Sequence, residues 1–166
     1  MRANKVAVAA ALVLALGWAA TGMAQMGWNT YRSDKYGFTM LVPPGVQFKE
    51  RELGGGWGTL EATHEGIKFL GIGKLGEWAK PEEIEAFGVR ATGIGAPRWK
   101  EIDKGQNQLG WTWYRTVEAT DGTVLLFGVY GTGPKGSYLI LLQTTVKDYE
   151  EHKADYRKWY DSITLF

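Results

Sequence analysis

The chain has 166 residues, with 19 Lys and Arg against 18 Asp and Glu, a formal net charge of +1 and no cysteine. Such a balance offers no basic field for a phosphate backbone, which argues against nucleic-acid binding. The missing thiols exclude thiol catalysis, thiolate metal sites and disulfide exchange.

The first element is an export signal over residues 1–24. Arg2 and Lys5 form a positive start, Val6 to Trp18 is an uninterrupted uncharged run, and Gly22-Met23-Ala24 supplies small residues before Gln25. This is the order of a cleaved secretory segment. A spanning helix needs about 20 apolar residues, which this run does not reach, and no later stretch is long and apolar enough to cross a bilayer. The mature chain is therefore expected to be a free protein of the bacterial periplasm or the exterior. Losing Arg2 and Lys5 takes its net charge to −1. Residues 25–166 have the length of one globular domain with its own core.

Tyr36 to Val42 alternates apolar and small residues and stops at Pro43-Pro44-Gly45, a strand closed by a turn. Val46 to Leu53 reads as extended, and Gly54-Gly55-Gly56 as a turn. Trp57–His64 and Ile67–Leu75 read as two strands joined at Glu65-Gly66. Gly58, Gly71 and Gly73 lie inside them, which marks a bulge or a close approach of something to the backbone.

Pro81-Glu82-Glu83 opens a helix, with proline at its first position and acids at the positive end of the dipole. Ile84, Phe87 and Ala91 share its apolar face. Trp99 to Ile102 reads as extended. Gly110 to Ala119 reads as a strand, with Trp111, Trp113, Arg115 and Val117 on one face. Asp121-Gly122 marks a hairpin, and Thr123–Tyr130 and Ser137–Thr144 complete a meander. Thr145 to Asp148 has capping-box form with Asp in place of Glu. Val146, Tyr149, Tyr156, Tyr160 and Ile163 then keep one face of a helix, with Lys153 snorkelling over the gap. Ser162 to Phe166 returns as an edge strand. The fold class is α+β: a central antiparallel β-sheet with helices packed on it, an α/β/α sandwich.

Catalytic patterns fail on inspection. Gly131 to Ser137 lacks the Lys after its last glycine and the helix that a phosphate loop needs, so it reads as a hairpin loop. Thr92 to Pro97 follows a helix and lacks the third glycine of a dinucleotide loop. No serine elbow and no His-Glu-x-x-His is present. Glu61 with Glu118 is a conceivable carboxylate pair for a hydrolase, against the simpler reading of surface ion pairing. Asp148, Glu151, His152 and Asp155 share a helix face opposite the aromatic stripe. They form a candidate site for a weakly held cation, against the simpler reading of a solvated polar face. Trp57, Trp78 and Trp99 lie in or beside glycine-rich loops and form a candidate ligand-binding face, against the simpler reading of lids folded onto the sheet.

The two ends of the mature chain resemble the PsbP-like group. Tyr31-Arg-Ser-Asp-Lys-Tyr-Gly-Phe38, then Met40-Leu-Val-Pro43 and Gly45, is similar to that group's opening. The strand Tyr138–Thr145, the helix Tyr149–Tyr160 and Ser162-Ile-Thr-Leu-Phe166 are similar to its close. The resemblance implies an α/β/α sandwich and an extracytoplasmic accessory or binding role, mostly without catalysis. The photosynthetic members assist photosystem II, but no functional residue transfers. The expected function is a non-enzymatic binding or accessory domain for a protein partner or small ligand. Alternatives are a carboxylate- or metal-dependent extracytoplasmic hydrolase and a self-assembling envelope protein. The sequence names no cofactor.

Overall fold

A computed structural model describes residues 27–166; the signal segment and its cleavage position lie outside the described residues. In chain order these are β1 (Asn29–Ser33), β2 (Phe38–Val42), β3 (Lys49–Leu53), β4 (Trp57–His64), β5 (Ile67–Leu75), α1 (Pro81–Thr92), β6 (Trp99–Gln108), β7 (Trp111–Thr120), β8 (Val124–Gly133), β9 (Gly136–Thr145), α2 (Val146–Asp161) and β10 (Thr164–Leu165). A seven-stranded antiparallel sheet runs β3-β4-β5-β9-β8-β7-β6, and β1, β2 and β10 form a second, three-stranded sheet.

The central strand β9 explains the layering. Leu139, Ile140, Leu141 and Leu142 are all fully buried, as expected of a strand covered on both faces. Leu139 and Leu141 join Ile84 and Phe87 of α1. Ile140 and Leu142 join Tyr149, Tyr156 and Trp159 of α2, together with Phe38, Met40 and Val42 of the small sheet. One helix therefore lies on each face, and the small sheet shares the α2 side. The fold is α+β and mostly antiparallel, as expected, with a second sheet that the sequence did not announce.

The α1 stripe departs from expectation, and the α2 stripe gains a residue. In α1 the buried positions are Ile84, Phe87 and Gly88, while Ala91 is exposed. A Cβ on Gly88 would stand 2.7 Å from the Trp99 ring and 2.9 Å from Leu139, so the glycine lets α1 settle onto the sheet. In α2, Val146, Tyr149, Tyr156, Tyr160 and Ile163 all pack into the α2-side core as expected, although His152 leaves helical geometry (φ −118°, ψ 20°), and Trp159 joins them fully buried. Only half of the capping box forms. Thr145 Oγ1 accepts from the Asp148 N–H at 3.1 Å, but the Asp148 carboxylate accepts from Thr144 Oγ1 at 2.6 Å instead of reaching back. The expected grouping on β7 also breaks. Trp111 packs at 5.9 Å on Tyr138 of the α2-side core, and Trp113 packs at 6.1 Å on Tyr130 of the α1-side core.

The strand glycines mark a close approach. Gly58 and Gly73 face each other across β4 and β5, and the Tyr36 ring lies on both. A Cβ on Gly58 would fall 1.8 Å from the Tyr36 hydroxyl, and one on Gly73 would fall 2.7 Å from Cδ1 of that ring.

Candidate binding face

The strand registers bring the ends of β3, β5, β6 and β8 and the starts of β4, β7 and β9 to one end of the large sheet. Among the described residues, the exposed large hydrophobics are Leu75 (39%), Trp78 (60%), Ile102 (48%) and Leu109 (53%). Leu75, Trp78 and Leu109 all sit at this end. Their proximity follows from backbone contacts. The Trp78 indole Nε1–H donates to the Gly133 carbonyl at 3.0 Å. A Cβ on Gly133 would stand 3.1 Å from the Gly110 carbonyl, beside Leu109.

The loop that carries Trp78 is clamped. Gly76 N–H donates to the Lys135 carbonyl at 2.8 Å. Ser137 Oγ donates to the Glu77 carbonyl at 2.8 Å and accepts from Ala79 N–H at 2.7 Å. The ring is thus exposed but fixed, and a fixed aromatic loses little conformational entropy when a partner covers it. At the β3–β4 turn of the same sheet end lies a cleft of ≈ 330 Å³, walled by Tyr36, Leu53, Gly55, Gly56, Trp57 and Leu75. Lys74 stands between Glu77 at 2.7 Å and Glu83 at 3.3 Å, and the Glu77 hydrogen bond leads the effects that hold its ammonium above the ordinary lysine value.

Leu109 is the odd residue of this face. With φ 51° it is left-handed, and Gly110 follows at φ 82°. Two successive positive-φ residues in a tight hairpin call for Asn-Gly or Asp-Gly. Leucine there costs about 1–2 kcal/mol of backbone energy and leaves an apolar side chain in water. Stability does not account for that choice.

Only one of the three tryptophans fits the expected exposed face. Trp57 is buried and stacks on Phe87 of α1 at 4.6 Å. Trp99 lies at the opposite end of the sheet, where it pairs with Ala119, packs half-buried on α1 and donates Nε1–H to the Ile94 carbonyl at 2.8 Å. Trp78 remains. Leu75 and Leu109 were missed because a leucine before a glycine at a strand end carries no special signal.

The polar clusters come apart. Asp148 turns toward the aromatic stripe: its carboxylate accepts from Thr144 and Tyr156 and lies 3.2 Å from His152 Nδ1. Burial pushes its carboxyl up, but the Thr144 and Tyr156 hydrogen bonds and His152 outweigh burial and leave it below the usual range. Glu151 pairs with Lys147 at 3.8 Å and Asp155 with Lys158 at 3.5 Å. Asp148, Glu151, His152 and Asp155 therefore do not converge, and among the described residues no three His, Asp or Glu side chains are grouped to hold a metal ion. Glu61 and Glu118 stand on β4 and β7, four strand spacings apart in the sheet, or about 19 Å. A retaining or inverting pair needs about 5–10 Å.

No protein-family model matches the sequence, and no curated protein matches it. The solution structure of cyanobacterial PsbP (CyanoP) from Synechocystis sp. PCC 6803 matches this fold with a TM-score of 0.53 at 14% sequence identity, over 87% of this chain and 96% of that one. The chain has a PsbP-like fold, and at this identity the likeness is one of fold alone. Among the described residues no helix is long and apolar enough to cross a membrane.

Proposed function

We propose that this chain is an exported, non-enzymatic accessory domain that docks a protein partner in the bacterial periplasm or outside the cell, using the sheet end that carries Leu75, Trp78 and Leu109. The observation that carries the reading is the clamped, 60%-exposed Trp78 beside two exposed leucines. Rigid aromatic anchors of this kind dominate binding energy at protein interfaces. The export reading rests on the sequence of residues 1–24. The cleft of ≈ 330 Å³ that Leu75 borders supports a second reading, a small ligand held beside Leu75, since its volume falls in the range of small-molecule sites.

The test is site-specific photo-cross-linking in the producing bacterium. A photoreactive residue is placed at 75, 78 or 109, and at Lys147 on the outer side of α2 as a control. The expected result is one discrete adduct with an extracytoplasmic protein from the first three positions and none from the fourth, with the adducts from 75 and 78 lost in Leu109→Asn. Equal labelling from all four positions, or a protein confined to the cytoplasm, overturns the proposal. Native mass spectrometry of the chain from Gln25 onward separates the two readings: a small added mass supports the ligand.

A further inference from the structure

β6 ends the large sheet with ten residues, and β7 is its one strand partner there. Backbone groups on its outer side are thus open to another strand. The opposite edge is different: β3 has five residues, and Lys35 reaches over it to Glu50 and Glu52. Cavities border β6 on both faces. On the α2 side, one of ≈ 580 Å³ is lined by Ile102, Glu118, Phe127, Tyr149 and Arg157, and one of ≈ 160 Å³ reaches Asp103, Gln108, Trp111 and Tyr160. On the α1 side, one of ≈ 500 Å³ is lined by Lys104, Gln106, Trp113 and Arg115.

The strand itself is shaped to present these spaces. Its register steps from Glu101↔Val117 to Asp103↔Thr116, so Ile102 bulges out of the pairing and stays 48% exposed. At Gly105 a Cβ would stand 2.6 Å from the Tyr114 ring. That ring therefore lies across the edge strand and stiffens it, as an aromatic does over an edge glycine.

We infer that β6 is a second binding site, which takes an extended peptide segment of a partner protein as an eighth, antiparallel strand. Backbone hydrogen bonds supply affinity in this mode, and alternate side chains entering pockets on the two faces supply selectivity. The α2-side cavities are floored by aromatic rings and take apolar residues. The α1-side cavity presents the Lys104 ammonium, with a 72%-exposed side chain, and the Arg115 guanidinium, so it takes acidic ones. Glu101 faces both cations at 3.2 and 3.3 Å and Glu82 also acts on Arg115, so the acidic preference rests on the exposed Lys104 ammonium. The selected segment alternates apolar and acidic residues. The site adjoins the Trp78 face at Leu109, which also lines the ≈ 160 Å³ cavity, and does not involve Trp78 itself.

The probe is an acetylated, amidated octapeptide that alternates glutamate with valine or phenylalanine, titrated into the chain from Gln25 onward while tryptophan fluorescence is followed. Only alternate amides of an added antiparallel strand face its neighbour. The expected results are saturable binding, slowed amide exchange at every second residue from Asp103 to Gln106, ahead of the left-handed Asn107 (φ 56°), and loss of binding when one alternate set of peptide amides is N-methylated but not the other. A lysine-for-glutamate peptide should bind about tenfold more weakly. Ile102→Lys, at an exposed position, should weaken binding, whereas Trp78→Ala should not. No saturation up to about 1 mM, equal behaviour of the two N-methylated peptides, or protection on β3 instead of β6 overturns the inference.

Discussion

Substituting Gly58 by alanine tests the close approach that joins the two sheets. The residue sits in β4 opposite Gly73 of β5. In an ordinary strand the change would be neutral or slightly stabilising, because alanine leaves the unfolded chain less entropy to lose. Here the new methyl falls 1.8 Å from the Tyr36 hydroxyl and 2.8 Å from Cζ, and Gly73 lies under the Cδ1–Cγ end of the same ring. The Tyr36 carbonyl is held by the Tyr138 hydroxyl at 2.8 Å, so relief must come from rotation of the ring toward the cleft that it borders. Overpacking of this kind costs about 1–3 kcal/mol, and full expulsion of the ring sets a ceiling of about 3–5 kcal/mol. We expect Gly58→Ala to lose about 2 kcal/mol, a fall in Tm of about 6–8 °C for a domain of this size. Tyr36→Ala should lose about 3–5 kcal/mol, and the double variant no more than Tyr36→Ala alone. That is a coupling of about 2 kcal/mol. Urea unfolding followed by circular dichroism and tryptophan fluorescence measures all three. Additive losses, or a Gly58→Ala protein as stable as the parent, would refute the reasoning.

Two predictions concern titration. The Asp148 carboxyl lies below the usual range in the folded chain, so the unfolded chain binds more protons in acid. The stability Asp148 contributes is present above the unfolded value near pH 4 and is lost as pH falls through the lowered one. Asp148→Asn should cost about 1–2 kcal/mol at neutral pH and flatten the acid limb of a stability-versus-pH curve; an unchanged acid limb counts against this account. Burial leads the effects that push the Tyr130 and Tyr149 phenols up to about 12. Their raised values favour the folded state fully below the unfolded value near pH 10, and that contribution is lost as pH rises toward 12. Phenolate absorbance should therefore show a late phase that coincides with unfolding. One phase centred near pH 10 with native circular dichroism throughout would contradict it.

Elements with their own local pattern were legible. β4 and β5 follow from period-two alternation between turn residues, and α1 follows from Pro81 and its acids. The Gly58, Gly71 and Gly73 pattern signalled a close approach without saying which ring makes it. Elements that exist only through pairing were not legible. β6 reads as extended for four residues, yet it continues to Gln108 because β7 holds its register. β1 is Asn-Thr-Tyr-Arg-Ser, with no apolar alternation, and is held by β2. Likewise β8 runs on through Gly131 to Gly133 where a longer loop was expected, because β9 pairs with it that far. The Asp148–His152 group illustrates the same limit on a helix: equal spacing predicted one face, but the departure at His152 and the Tyr156 hydroxyl took Asp148 out of it.

The binding face was only partly legible for a related reason. Tryptophan in a loop says nothing about whether its ring is covered. Trp57 is covered because α1 places Phe87 over it, and Trp78 is not, because its N–H is tied down by a carbonyl 55 residues away. Three choices at this one end run against local preference: a leucine in a left-handed turn position, a second leucine at an exposed strand end, and an exposed tryptophan on a clamped loop. Each taken singly is unremarkable on a protein surface. Together they sit on neighbouring turns joined through Gly133 and Gly110, and among the described residues Ile102 of β6 is the other large hydrophobic left exposed. Local rules that fail together at one place support the docking face proposed there.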